Sequence, residues 1–381
     1  MKISVDEVNA VILLMNGKKA SADPLLSEEH LIFSPLLLRY HLANFFTLVL
    51  RHGVTPAKTM ECTIVPIPKS VTADSFGSFR GITLSTPLSK VTELIIFQNC
   101  EKCLKHSPLQ FGFTERHSTG DATFVIKEAI SYTCRGNVHL YACFLDASKA
   151  FDFVDHGILF EKLMKIDTPP EWIRFLMSGY KAINLKVCWN GFLSNRFPLK
   201  QRVRQGGVLS PMLFSVYLDE LLGILSESGC GLSLGTLFLG CIAYADDIVL
   251  LSTSATDLQK MVDLCVQYGE KHAIKFNASK TKCVKFSQKK EQRPAPIFLA
   301  GVALEWADEF VYLGHVIHSD LSISKDMTRV KHSFNQQLNL LMSRFGRITP
   351  SLRGHLFKTF CTSLYGIQLW GNELKKETTT R

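Results

Sequence analysis

The 381-residue chain has no apolar run long enough to cross a membrane. Its N-terminal stretch, MKISVDEVNAVILLMNGKK, has no small-residue cleavage site of the kind a secretory signal carries. Neither a membrane partner nor secretion is expected. Internal repeats are missing, and so are low-complexity tracts apart from the polar end KKETTTR. With 46% hydrophobic residues, the chain buries a substantial core, in two or three lobes. A disulfide framework is missing as well. The eleven cysteines are odd in number and scattered through apolar segments, which points to reduced thiols inside a cell, in the nucleus or cytoplasm. The lone CxxC, Cys100–Cys103, falls in a helical stretch with no second pair to answer it, so zinc is not expected there.

Acids are the minority charge, 34 against 43 Lys and Arg, for a net charge of +9. From Lys325 to Lys376 nine basic residues (Lys325, Arg329, Lys331, Arg344, Arg347, Arg353, Lys358, Lys375, Lys376) face two acids, Asp326 and Glu373. A basic helical segment on a less charged body suits a polyanionic partner, although a solvated helix face looks the same.

In chain order, helices run to about Leu50, followed by a strand at 61–69 and a short apolar run at 79–85. Helices are expected at 88–105 and 119–135, a β-rich run at 138–146, and helices at 155–166 and from TPPEW (168–172). Residues 184–203 alternate as a hairpin broken at Asn190-Gly191. The segment 209–229 reads as the clearest helix, with Ser210 suited to the N-cap and Pro211 to the first turn. A hairpin around 240–252, a helix at 256–273, a strand at 282–287, the segment EFVYLGHVI (309–317) and two basic helices complete the chain. Strand, helix, hairpin, helix, strand predicts an α+β middle with an antiparallel sheet, an organisation that ferredoxin-like folds share with a polymerase palm.

AYADDIVLLSTS (243–254) sets Asp246 and Asp247 side by side between the apolar runs GCIAY and IVLLS. Two carboxylates so close repel, and holding them near a core costs free energy unless something positive compensates. A surface hairpin tip accounts for the pair as turn residues; a metal site accounts for it as ligands. A second acidic cluster, ACFLDASKAFDFVDH (142–156), ends an apolar strand at Asp146 and continues to Phe151 and Asp152. If that strand lies beside the hairpin, the carboxylates project at one sheet edge. Two Mg²⁺ ions, or Mn²⁺, bridged there can activate a 3′-hydroxyl and stabilise a pyrophosphate leaving group.

Eight blocks now fall into a known order. They are TIVPIPKS (63–70), FRGITLSTPLSKVTE (79–93), QFGFTERHST (110–119), FLDASKAFDFVDH (144–156), RQGGVLSPMLFSVYLDEL (204–221), YADDIVLL (244–251), FNASKTKCVKF (276–286) and YLGHVI (312–317). The series resembles the reverse transcriptase of non-LTR retrotransposons, the long interspersed element type. GKKASADPLLSEEHL (17–31) resembles that family's opening block and the C-terminal helices its thumb, so the resemblance covers nearly the whole chain.

The resemblance implies a right-hand polymerase: a helical extension of the fingers over 1–60, fingers and a ferredoxin-like palm over 61–318, and a basic thumb over 319–381. It implies an RNA template, a DNA primer and dNTPs as partners. Asp146 and Asp246 match the metal-binding aspartates. Asp247 matches the supporting acid, which reaches the metals only if the turn bends the backbone. Phe151 matches a ring that leaves no room for a 2′-hydroxyl, although a core Phe is the plain alternative. Gln205 and Gly206 match positions that place template and nucleotide, and Lys69 and Arg80 match those that grip the triphosphate. Lys280, with Lys282 as the alternative, would protonate or neutralise the departing pyrophosphate. Gln110 and Gly112 would shape the template-facing fingers, Tyr312 and Gly314 the loop holding the primer end, and Arg344, Arg347 and Arg353 the contact with the duplex backbone.

Three positions depart from the family pattern: Gly81 where proline is usual, Ala22 where glycine is common, and Phe153 where a basic residue is frequent. None removes a catalytic group. The upstream endonuclease and downstream nucleic-acid-binding segment of such elements are missing, so the chain resembles a piece of the parental polyprotein. Two readings result: an RNA-directed DNA polymerase, or a truncated, catalytically silent or co-opted nucleic-acid-binding remnant.

Overall fold

The structure, a computed structural model, describes residues 2–69, 78–100, 103, 107–147, 150–287, 294–320 and 322–362. Ser70, Lys375, Lys376 and the end KKETTTR lie outside them.

The chain opens with helices α1 (Val5–Leu13), α2 (Glu28–Ile32) and α3 (Leu36–His52). A capping box between Ser4 and Glu7 starts the first of these. The ribbon β1 (Glu61–Pro68) and β2 (Phe79–Ser85) follows, then α4 (Pro87–Cys100), α5 (Thr119–Arg135) and β3 (Leu140–Asp146). Next come α6 (His156–Lys165), α7 (Pro170–Ala182), β4 (Asn184–Trp189), β5 (Phe192–Leu193), β6 (Phe197–Pro198) and α8 (Ser210–Glu227). Short strands β7 (Ser233–Leu234) and β8 (Leu237–Phe238) precede the hairpin β9 (Cys241–Tyr244) and β10 (Asp247–Ser252). After α9 (Ala255–Lys271) run β11 (Lys282–Phe286), β12 (Phe298–Leu299), β13 (Val302–Ala303), β14 (Glu305–Ala307), β15 (Glu309–Tyr312) and β16 (His315–His318). Helices α10 (Ser324–Phe345) and α11 (Pro350–Phe360) are the last described elements. Among the described residues no helix is long and apolar enough to cross a membrane.

These elements form two compact units. The first holds Met1–Ser107, Ser148–Leu221 and Tyr268–Lys275. Its sheet runs β2-β1-β4-β5, with β6 also against β4. In this sheet β1 and β4 are parallel, Glu61 opposite Asn184. The helices between them supply the long crossover that a parallel pair needs. The expected hairpin over 184–203 is shorter than its pattern. Asn190 and Gly191, at φ 48° and 85°, turn β4 into β5, but the chain then returns as β6 to pair Asn184 with Pro198, and 199–203 leave the sheet.

The second unit holds Pro108–Ala147, Leu222–Gln267 and Phe276–Arg381. Its sheet runs β14-β11-β3-β10-β9, antiparallel except where β11 meets β14. Ala142, Phe144, Val249, Leu251, Val284 and Phe286 pack with Ala122, Ile126 and Ile130 of α5. The alternate residues Cys143, Leu145, Ile248, Leu250 and Cys283 are buried too, with Cys265 of α9 beside Cys143. A sheet covered on both faces reads as unbroken apolar runs, which is how β3 and β10 read in the sequence. That covering holds the two strands fixed beneath the acids at their ends.

Candidate active site

Strands β3 and β10 pair antiparallel with Asp146 directly opposite Asp247, so the ladder itself brings two carboxylates together. Asp246 sits in the turn between β9 and β10, half-buried. The backbone bends there because Ala245 lies at φ 57°, in the left-handed region that non-glycine residues rarely adopt. Asp246 lies close enough for its charge to raise the Asp247 pKa, but it does not line the cleft that Asp146 and Asp247 share.

The loop 277–281 fastens onto the same strand end. Asn277 N donates to Asp146 O at 2.8 Å, Asp146 N donates to Thr281 Oγ1 at 3.2 Å, and Ala147 bridges Phe276. The Lys280 ammonium consequently stands 3.8 Å from Asp146 Oδ2. Lys282 is drawn elsewhere, to Glu305 on β14 at 3.1 Å. The two lysines, equivalent in sequence, have different places in the fold.

Asp146, Asp247 and Lys280 line one cleft with Phe144, Phe310, Tyr312 and Leu313, about 270 Å³ in volume. Asp247 meets solvent at its lip, yet protein crowds it closely. Burial first, then the charges of Asp246 and Asp146, push its carboxyl up to about 6. Asp146 Oδ2 is buried and accepts no hydrogen bond. The Tyr312 hydroxyl is buried and unpartnered, and burial together with Asp247 raises its pKa, so the phenol stays neutral. Leu313 and Gly314, at φ 46° and 80°, make the tight turn from β15 to β16.

Gln110 and Gly112 pack against the turn that precedes Asp246. Gln110 is 1% exposed, and its carbonyl accepts from Ala245 N and Gly112 N, each at 2.9 Å. A Cβ at Gly112 would stand 2.3 Å from Ala245 N, so only glycine allows that approach.

Phe151, Gln205, Gly206, Lys69 and Arg80 belong to the first unit. Phe151 lies in a 3₁₀ turn, half-buried, its ring stacked on buried Phe214 at 4.3 Å. Gln205 O accepts from Thr83 N at 2.7 Å, and its amide reaches Asp152 at 3.4 Å. Gly206, at φ 108°, brings its Cα so near Thr83 that a Cβ would meet the Thr83 carbonyl oxygen at 2.9 Å. Lys69 and Arg80 are exposed at the far end of the β1–β2 ribbon. Among the C-terminal arginines, Arg344 and Arg347 are exposed. Arg353 instead donates to the carbonyls of Gly346 and Ile348, tying the turn between α10 and α11.

Sequence reasoning missed the support of the Gln205 loop. Buried Glu93 pairs with Arg204 and accepts from Val208 N and Leu209 N (3.1 Å for Leu209). Arg204 also bonds Ser89 Oγ at 2.9 Å. An acid midway along an apolar helix, in TPLSKVTE, was the available signal. The departing residues disrupt no element: Gly81 sits within β2, Ala22 N donates to Ser85 O at 3.3 Å, and Lys275 Nζ lies 5.9 Å over the Phe153 ring.

A sheet with helices on its faces, carboxylates ending adjacent strands and a lysine beside them defines a polymerase palm. The family described as reverse transcriptase (RNA-dependent DNA polymerase) matches residues 67–317, and the chain belongs to it. It is 25% identical over 386 residues to the RNA-directed DNA polymerase from mobile element jockey of Drosophila funebris, covering 97% of this chain and 41% of that protein. To the probable RNA-directed DNA polymerase from transposon BS of Drosophila melanogaster it is 27% identical, covering 97% and 42%. The Pol polyprotein from type-2 retrotransposable element R2DM of the same fly is 27% identical over 279 residues, covering 71% and 26%. The chain thus spans about two fifths or less of these relatives. Among solved structures, telomerase from Candida tropicalis truncated from its C-terminal domain aligns at a TM-score of 0.49 and 15% identity, covering 76% of this chain and 60% of that one.

Proposed function

We propose that the chain is an RNA-directed DNA polymerase that adds deoxynucleotides to a DNA primer's 3′-hydroxyl along an RNA template. The observation that carries this reading is the pairing of Asp146 with Asp247 across β3 and β10, with Asp246 in the adjoining turn. Its supports are a buried Asp146 oxygen that accepts no hydrogen bond and an Asp247 carboxyl raised by burial and then by the charges of Asp246 and Asp146. Among the described residues no three His, Cys, Asp or Glu side chains converge as a ready-made metal cluster, but the facing pair Asp146 and Asp247 suits Mg²⁺, which binds through one or two carboxylates and leaves its other positions to phosphates and water. Asp146, Asp246 and Asp247 would hold two Mg²⁺ ions, which Mn²⁺ can replace. When bound, the ions supply Lewis acidity for the primer hydroxyl and the pyrophosphate.

The remaining steps belong to the chain's own residues. Lys280 holds a proton beside the acids for the departing pyrophosphate. Phe151, kept in place by its stack on Phe214, excludes a 2′-hydroxyl. Gln205 and Gly206 position the nucleotide, and Lys69 and Arg80 take its phosphates. Tyr312 and Gly314 hold the primer end, and Arg344 and Arg347 follow the duplex backbone. In this reading residues 1–60 extend the fingers, 61–318 hold fingers and palm, and 319–381 form the thumb. Eleven free thiols support action in the nucleus or cytoplasm. Primer extension by the purified chain on poly(rA)/oligo(dT) with dTTP and Mg²⁺ tests the proposal; no product from folded protein contradicts it.

A further inference from the structure

We propose that Gln110 and Gly112 are positioning residues for the acidic turn, and that their loop sets how tightly the acids hold a cation. The proposal rests on the reading of Asp146, Asp246 and Asp247 as a cation site. Ala245 immediately precedes Asp246, and its left-handed backbone, φ 57°, fixes the direction in which the acids leave the hairpin. A non-glycine residue persists in that region only where its surroundings hold it. Here the Gln110 amide does so. Its Oε1 accepts from Ala245 N and from Gly112 N, each at 2.9 Å. Its Nε2 is buried without a partner, so the two N–H donors alone decide how the amide is turned.

The rest of the loop holds Gln110 in place. Phe111 N donates to Ala243 O, and Ala243 N to Leu109 O, both at 2.8 Å. These bonds fasten the loop to β9 as one rung of a parallel extension, Gln110 against Ala243. Thr114 Oγ1 donates to Gln110 O at 2.8 Å, closing the loop on itself. Gly112 lets the loop approach where any Cβ would collide with backbone.

The residue type has a chemical reason. A glutamate would also accept both N–H bonds, but it would add a fourth carboxylate beside three that already repel. Glutamine accepts without charge.

The test is the affinity of the purified chain for Mn²⁺, read by electron paramagnetic resonance with no nucleic acid present. Gln110→Met keeps the side-chain volume and removes the acceptor. It is expected to weaken Mn²⁺ binding about tenfold, the scale on which removing a ligand's supporting hydrogen bond acts. Thr114→Val weakens it less, and Ile130→Val, a core change on α5, leaves it unchanged. Gln110→Met binding as tightly as wild type overturns the proposal. Should Gln110→Met not fold, wild-type affinity in Thr114→Val overturns it instead. A wild-type chain that binds no Mn²⁺ overturns the cation reading, and this proposal with it.

Discussion

Asp146 and Asp247 stand directly opposite one another at the ends of β3 and β10, so the register of one ladder decides where two negative charges meet. Above the ordinary carboxylate range the folded protein must hold them together against their repulsion.

The first prediction concerns pH. The Asp247 carboxyl moves from 3.8 to about 6 on folding. Between those values the folded state keeps a proton that the unfolded state has released, so stability falls as pH rises through that window and stays lower above it. A divalent cation binds the ionised form and restores stability above the window. The melting temperature without divalent ions should fall across the window, and Mg²⁺ should raise it more above pH 6 than below pH 4. Asp247→Asn should flatten the curve; a wild-type curve that matches Asp247→Asn contradicts the assignment.

The two lysines of NASKTK should differ. Lys280 stands beside Asp146, whereas Lys282 pairs with Glu305. Lys280→Gln should slow single-turnover incorporation by about a hundredfold, the usual scale for a positioned acid. Lys282→Gln should change it little. Equal effects in rapid-quench measurements would remove Lys280 from the chemistry.

Phe151→Val should raise the relative kcat/KM for ribonucleotides, each ~1.4 kcal/mol of lost exclusion appearing as tenfold. The stack on Phe214 is lost as well, so a melting scan accompanies single-nucleotide incorporation of dNTP and rNTP. Equal loss on both sugars with a lowered melting temperature would make Phe151 an ordinary core ring.

Neutralising Arg344 and Arg347 should weaken binding to every duplex sequence and reduce the slope of log affinity on log salt by roughly 0.9 per lost phosphate contact. Arg353→Gln should act differently. It frees the carbonyls of Gly346 and Ile348, so it should lower the melting temperature more than it alters the salt slope. An unchanged slope in Arg344→Gln/Arg347→Gln would mean a solvated face.

The sequence made much of this visible because its strongest signals are local. The apolar runs around Asp146 and Asp247, the helical spacing from Ser210 and the Asn190-Gly191 turn each depend on neighbouring residues. What escaped depends on partners far along the chain. Nothing near Lys280 or Lys282 reveals that Glu305 takes one of them. Gln110 looks like a surface-facing loop residue until its amide is found on Ala245, 135 residues away. The parallel pairing of β1 with β4 leaves no pattern in either strand. The hairpins β7–β8 and β12–β13 have two residues per strand, too few for any period to register.

The central claim is that Asp146, Asp246 and Asp247 form the metal-dependent centre of an RNA-directed DNA polymerase. Extension of oligo(dT) on poly(rA) by the wild-type chain, compared side by side with Asp246→Asn, tests it most directly. Asparagine keeps the size of the side chain and removes the charge that would hold a cation. The account predicts Mg²⁺-dependent product from the wild type and none from a variant with the same melting temperature. Product from well-folded Asp246→Asn, or none from well-folded wild type, would contradict it.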